Sequence, residues 1–285
     1  MKHKNLKGKS GLILALGVIA LSFGSIIIRV THSPSIVIAA WRLVLASVVL
    51  LPWGLARGRL SGRGLVLSLL SGAFLALHFA TWIESLRHTT VASSVVLVNT
   101  NPLFVGLFSL FLGEPPSRAL WQGIGLATLG GVLIGWGDFS LGGSALWGDL
   151  LALVGAIMAS GYLMIGRRMR HHGPLFPYVG IAYSTAALLL VGGTFLLADG
   201  ALPMREDWLW IGLLALGPQL LGHTSVNRAL RSLPASAVAV AVLGEPVGAT
   251  LWAYLLFGEG IGPVQGVGML LVLAGIVRVL RATGL

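Results

Sequence analysis

The chain contains no cysteine. Disulfides, thiolate metal sites and cysteine nucleophiles are therefore excluded. Charge is scarce too: Asp, Glu, Lys and Arg make up 10% of 285 residues, and only 9 residues are acidic. There is no Gly-rich phosphate loop and no His-Glu-x-x-His pair, nor are there clustered aspartates of the kind that hold Mg²⁺. Ser93, Ser94 and Ser160 have no nucleophile-elbow context. ATP-driven transport and membrane hydrolysis lose their sequence basis; no enzyme activity, metal or cofactor is expected.

What the chain has in excess is apolar surface, with 56% hydrophobic residues and a mean hydropathy of +0.91. Crossing about 30 Å of hydrocarbon takes roughly 20 residues of helix. Stretches of that kind lie at about 11–29, 34–56, 63–84, 91–112, 117–136, 145–167, 174–198, 208–231, 235–257 and 262–281. Backbone groups in lipid must be paired internally, and these runs are too long for barrel strands. The expected fold is an all-α integral membrane protein of ten transmembrane helices. The first run reads as an uncleaved span, because it outlasts a secretory h-region.

A formal charge of +10 raises the question of nucleic acid, and the placement of the basic residues answers it. With a cytoplasmic amino terminus, 15 of the 19 Lys and Arg fall on the cytoplasmic side; only Arg29, Arg87 and Arg205 fall outside, and Arg42 lies within a span. That is the positive-inside pattern, with both termini cytoplasmic. Membrane lipid is the expected partner of these charges, and nucleic acid is not.

The sequence also repeats itself. Ser85–Phe104, "SLRHTTVASSVVLVNTNPLF", aligns without gaps on Ala229–Gly248, "ALRSLPASAVAVAVLGEPVG", pairing Leu86, Arg87 and Pro102 with Leu230, Arg231 and Pro246. "FLGE" at Phe111–Glu114 answers "LFGE" at Leu256–Glu259, and "QGIG" at Gln122–Gly125 answers "QGVG" at Gln265–Gly268. The order is the same each time, which implies two related halves of five helices, 11–136 and 145–281. Five is odd, so the second half enters the membrane the other way and the repeat is inverted. Secondary transporters use that construction, and some channels do as well.

"NPLFVGLFSLFLGE" and "EPVGATLWAYLLFGE", each closing a fourth helix, resemble the paired signatures of EamA-type members of the drug/metabolite transporter superfamily. The resemblance covers about residues 11–281. It implies two EamA repeats and export of small metabolites across the bacterial inner membrane, with aromatic and other neutral amino acids the solutes of the best-understood branch. A drug or nucleoside-type exporter, or a channel, stands as the alternative; an intramembrane enzyme is the rival from another class.

Several polar residues sit where lipid makes them costly. Pro102 and Pro246 have no N–H to give Val98 and Val242, so each fourth helix is expected to loosen near its centre. Asn101 and Glu245 pair in the repeat alignment at that depth, where a carboxylate costs about 2.5–3.5 kcal/mol. Asn99 points about 200° away from Asn101 on a regular helix, so both reach the path only if the helix is distorted between them. His78 and Trp82 share a face, as do Gln219, His223 and Asn227, spaced by four. Tyr162 adds a ring and a hydroxyl. These nine residues are the expected solute contacts, with packing as the competing account of each. An ion pair of Arg42 with Glu245 is conceivable, but the sequence alone cannot place the two together. Gly131 with Gly135 and Gly262 with Gly266 are expected to allow close helix approach, in a monomer or homodimer. Trp252 and Tyr254 are expected in an interfacial belt.

Overall fold

The computed structural model of the protein describes residues 2–89, 91–113, 115–134, 144–258 and 260–283. Glu114, Gly135 and Glu259, singled out above, lie outside the described residues. The elements are α1 (Lys2–Ser22), α2 (Gly24–Arg29), α3 (Ser35–Ala56), α4 (Gly62–His88), α5 (Val91–Val98), α6 (Asn101–Phe111), α7 (Arg118–Ile134), α8 (Ser144–Arg168), α9 (Leu175–Leu197), α10 (Trp208–Leu214), α11 (Thr224–Leu230), α12 (Ala235–Val242), α13 (Gly244–Phe257) and α14 (Pro263–Thr283). A π-helical stretch, Ala215–His223, joins α10 to α11 with Pro218 inside it. Pro218 has no N–H for the turn behind it, and the wider i→i+5 turn absorbs that loss.

Among the described residues, 8 helical segments are long and apolar enough to cross a membrane. In the fifth expected window α7 is apolar but has 17 residues. The eighth window is the composite of α10, the π-helical stretch and α11, so its interior does not follow one 3.6-residue period. Among the described residues the spans carry large apolar side chains on their outer faces: Phe111 and Leu196 are each 85% exposed, while Arg42 is 1% exposed. Large apolar side chains facing outward along the spans are what a chain solvated by hydrocarbon shows.

The packing relates equivalent helices of the two halves. α3 lies along α9 and α7 along α14, while α4 packs on α8 and α1 on the π-helical stretch with α11. Glycines permit the closest approaches. A methyl added to Gly54 would sit 2.5 Å from the Phe176 carbonyl oxygen, and one on Gly180 would sit 2.8 Å from that of Leu50. Residues 50 and 54 thus face 180 and 176, and the two helices run antiparallel.

An equally close contact joins α7 and α14. A methyl on Gly130 would stand 2.5 Å from Gly268 O, one on Gly268 2.6 Å from Gly130 O, and one on Gly275 2.8 Å from Gly123 O. These glycines are seven apart on each helix, again antiparallel. The four-residue spacing expected to mediate close approach does not do so: Gly131 and Gly266 have nothing within 4 Å, and Gly262 meets only Gln265 Oε1 at 3.8 Å. At seven residues, just under two turns, a glycine returns to the same face, and that face meets the partner helix.

At one end of the bundle Asp207, in a short 3₁₀ turn, is fully buried and grips the loop before α3. Its Oδ2 accepts from His32 N at 2.9 Å, Ser33 N at 2.6 Å and Ser33 Oγ at 2.5 Å; its Oδ1 accepts from His32 N at 3.2 Å. Burial alone pushes this carboxyl up, but the hydrogen bonds from Ser33 and His32 outweigh it and hold the group below its ordinary value. Arg87 at the end of α4 closes the same corner, donating to Ser35 Oγ at 2.5 Å and Ser33 O at 2.9 Å. The opposite end gathers Arg63, Arg167, Arg168, Arg170, His171 and His172 around a cavity of about 310 Å³.

Candidate functional site

The site forms where two helices are interrupted. Between α5 and α6 the helix breaks at Asn99 and Thr100, and Pro102 takes a place in the first turn of α6. Thr100 N bonds Leu97 O at 3.1 Å and Leu103 N bonds Thr100 O at 2.9 Å, so the chain turns tightly there. Asn99 Nδ2 donates back to Val95 O at 2.8 Å. The break removes the 200° conflict, and Asn99 and Asn101 both face one cavity. In the second half Leu243 separates α12 from α13, with Glu245 and Pro246 in the first turn of α13. Val242 and Glu245 face the same cavity from that side.

The cavity is lined by Leu21, His78, Trp82, Val98, Asn99, Asn101, Ala159, Tyr162, Leu163, His223, Val226, Val242 and Glu245. It offers about 60 Å³ to the centres of water molecules. A single water needs about 10–15 Å³ on that measure. In this state the space suits a few waters, and a larger solute requires the walls to part.

Aromatic rings form one wall. His78 stacks on Trp82 with centroids 5.9 Å apart and planes at 7°. His223 meets Phe79 edge-on at 5.3 Å and Tyr162 at 6.3 Å. His78 Nδ1 lies 2.9 Å from Gly155 O. A carbonyl oxygen only accepts, so Nδ1 carries the hydrogen and Nε2 is the ring's acceptor. Glu245 is the one acid among the described lining residues, and its carboxylate has no hydrogen-bond or ion-pair partner among the described residues.

Seven of the nine residues expected from the sequence meet around this space: His78, Trp82, Asn99, Asn101, Tyr162, His223 and Glu245. The other two stand behind it. Gln219, fully buried in the π-helical stretch, accepts from Arg42 Nη2 at 3.1 Å. Asn227 donates from Nδ2 to the Tyr162 hydroxyl and to His223 O, the latter at 2.9 Å. Gln219 and His223 are four apart, but the π geometry between them turns them to different neighbours. Trp252 stacks on Phe23 at 4.4 Å and donates from Nε1 to Ser22 Oγ at 2.8 Å. The apolar lining residues carried no sequence signal that set them apart from lipid-facing neighbours. Phe79 was overlooked although it lies between His78 and Trp82.

Helices of membrane-spanning length around a hollow with both polar and apolar walls define a multi-pass membrane transport protein. The EamA-like transporter family matches residues 9–136 and 146–281, and the chain belongs to that family. It is 31% identical over 206 residues to the pseudopaline exporter CntI of Pseudomonas aeruginosa, covering 70% of this chain and 69% of that protein. It is 28% identical over 288 residues to an uncharacterized transporter of Archaeoglobus fulgidus, covering 95% and 97% respectively. A solved crystal structure shares the fold with a TM-score of 0.82 at 20% identity, over 97% of this chain and 98% of its own.

Proposed function

We propose that the protein exports small solutes, foremost neutral and aromatic amino acids, by alternating access across a bacterial inner membrane. The observation that carries this reading is the cavity at the two helix breaks, with an unpaired carboxylate on one side and stacked rings on another. The apolar part of a solute packs against Trp82, Leu21, Val98 and Val226. Its polar ends take bonds from His78, Asn99, Asn101, Tyr162, His223 and Glu245, while Gln219 and Asn227 hold their neighbours in place. Contacts of this kind replace the solute's hydration without holding it too tightly for release.

Ten crossings in two inverted halves, 11–136 and 145–281, belong to the same proposal. It is supported by the antiparallel pairing of α3 with α9 and α7 with α14, and by the matching breaks beside Pro102 and Pro246. Two such halves rocking about a shared axis offer two similar open states. The arginine-rich end is taken as cytoplasmic, with both termini, and the Asp207 end as outer.

The test is counterflow in liposomes carrying the purified chain, with a panel of amino acids, a nucleoside and pseudopaline. Saturable, accelerated exchange of neutral or aromatic amino acids supports the reading. Exchange confined to the nucleoside or to pseudopaline shifts the substrate class, and linear, ion-selective flux replaces a carrier with a channel.

A further inference from the structure

A second opening lies toward the Asp207 end, about 360 Å³ in volume. One helix, α4, lines both it and the central cavity. From α3 come Ser35 and Ile38; from α4 Ile83 and Arg87; from α2 Ser25 and Ile28. Deeper in the molecule, α4 presents Trp82 and His78 to the central cavity, and α1, which precedes α2 in the chain, presents Leu21. Along α4 the layer between the two linings is therefore about one helical turn thick. Arg42 stands in it, four residues beyond Ile38 and on the same face of α3, with its guanidinium 4.2 Å from the centre of the Phe79 ring.

Arg42 is 1% exposed, and Nη2 bonds Gln219 Oε1 while Nε and Nη1 are buried without a partner. A buried cation with unmet donors inside a span is costly and marks function by default. Glu245 does not neutralise it directly: the two feel each other's charge, but no ion pair joins them among the described residues. The unmet groups also sort by kind. Around Arg42 they are donors, namely its own Nε and Nη1 and the Nε2 of its neighbour Gln219. The guanidinium can only donate, so Gln219 must turn its oxygen to it and keep its NH₂ unmet. At the central cavity they are acceptors: Asn101 Oδ1 in its lining and Asn227 Oδ1 behind it are buried without a partner, and no donor meets the Glu245 carboxylate among the described residues. Asn227 is oriented by its two acceptor neighbours in the same way. What is lacking near Arg42 is an acceptor, and what is lacking near Glu245 is a donor.

We propose that Arg42 receives the carboxylate of an amino-acid solute as it leaves the central cavity toward the Asp207 end, while Glu245 takes the ammonium group. This rests on the transporter reading above and names the polarity with which the solute is held. Phe79, fully buried in this state, lies against Arg42 and moves aside as the layer opens.

The experiment compares counterflow of L-phenylalanine, L-phenylalaninamide and phenylethylamine in liposomes bearing the full chain. The wild type is expected to prefer L-phenylalanine by about tenfold over the two compounds without a carboxylate, the worth of one charge-assisted contact. Arg42→Gln loses that preference, and Arg42→Lys, which keeps the charge without the planar fork, keeps part of it. If Arg42→Gln fails to fold, judged by gel filtration in detergent, Arg42→Lys decides alone: a reduced preference with unchanged phenylalaninamide flux supports the proposal. A full preference for L-phenylalanine in either folded variant overturns it. A wild type that moves none of the three compounds refutes the amino-acid reading itself, before any substitution is made.

Discussion

Asp207→Asn isolates one charge at a corner of the bundle where the chain meets itself across 175 residues. Three donors reach the carboxylate: His32 N, Ser33 N and Ser33 Oγ. Hydrogen bonds to a charged group contribute about 1.5–3 kcal/mol each. The amide keeps one acceptor oxygen and turns an NH₂ toward backbone N–H groups, so a loss of roughly 2–4 kcal/mol is expected. Its pH dependence follows from the sign of the shift. The folded carboxyl titrates below its ordinary value, so its contribution is complete above the unfolded pKa of about 4 and is lost as pH falls through the lower, folded value. Thermal unfolding in detergent should therefore show a constant gap between wild type and Asp207→Asn from about pH 8 to about pH 5, narrowing only below about pH 4. The absence of a gap at neutral pH, or one that widens on acidification from pH 8, would refute this reasoning.

Two further substitutions test other parts of the structure. Gly130→Ala places a methyl 2.5 Å from Gly268 O and 2.6 Å from Val272 N, both backbone atoms, and should cost about 1–3 kcal/mol in detergent unfolding; Gly131→Ala beside it, with open space around it, should be neutral or slightly stabilising, and equal effects at both positions would remove the packing argument. Glu245→Gln should cut counterflow at least about tenfold, the worth of one contact, while elution and melting stay those of the wild type; undiminished flux at every pH takes Glu245 out of the mechanism.

The sequence made some of this legible and hid the rest, for identifiable reasons. Pro102 and Pro246 announced the helix breaks because a missing N–H is a local fact. The break at Asn99 then settled a conflict that helical periodicity had posed. The partner of Arg42 was hidden because Gln219 lies 177 positions away, and no local pattern specifies which helices meet. The contact of Asp207 with His32 and Ser33 was hidden for the same reason. The stripe Gln219, His223, Asn227 was read on a 3.6-residue period, which the π-helical stretch around Pro218 does not keep. The glycine pairs were misread because a four-residue spacing was assumed, whereas α7 and α14 meet on residues spaced by seven.

The contact of α7 with α14 limits how the molecule moves. Where two backbones touch, sliding one helix along the other by a single residue would drive side chains such as Val272 and Val279 into carbonyl oxygens. Shear is closed off along this seam, but rotation about it is not. In the proposed alternating cycle the seam acts as a pin on which the halves turn, and a substitution there that leaves every cavity residue untouched should still slow counterflow.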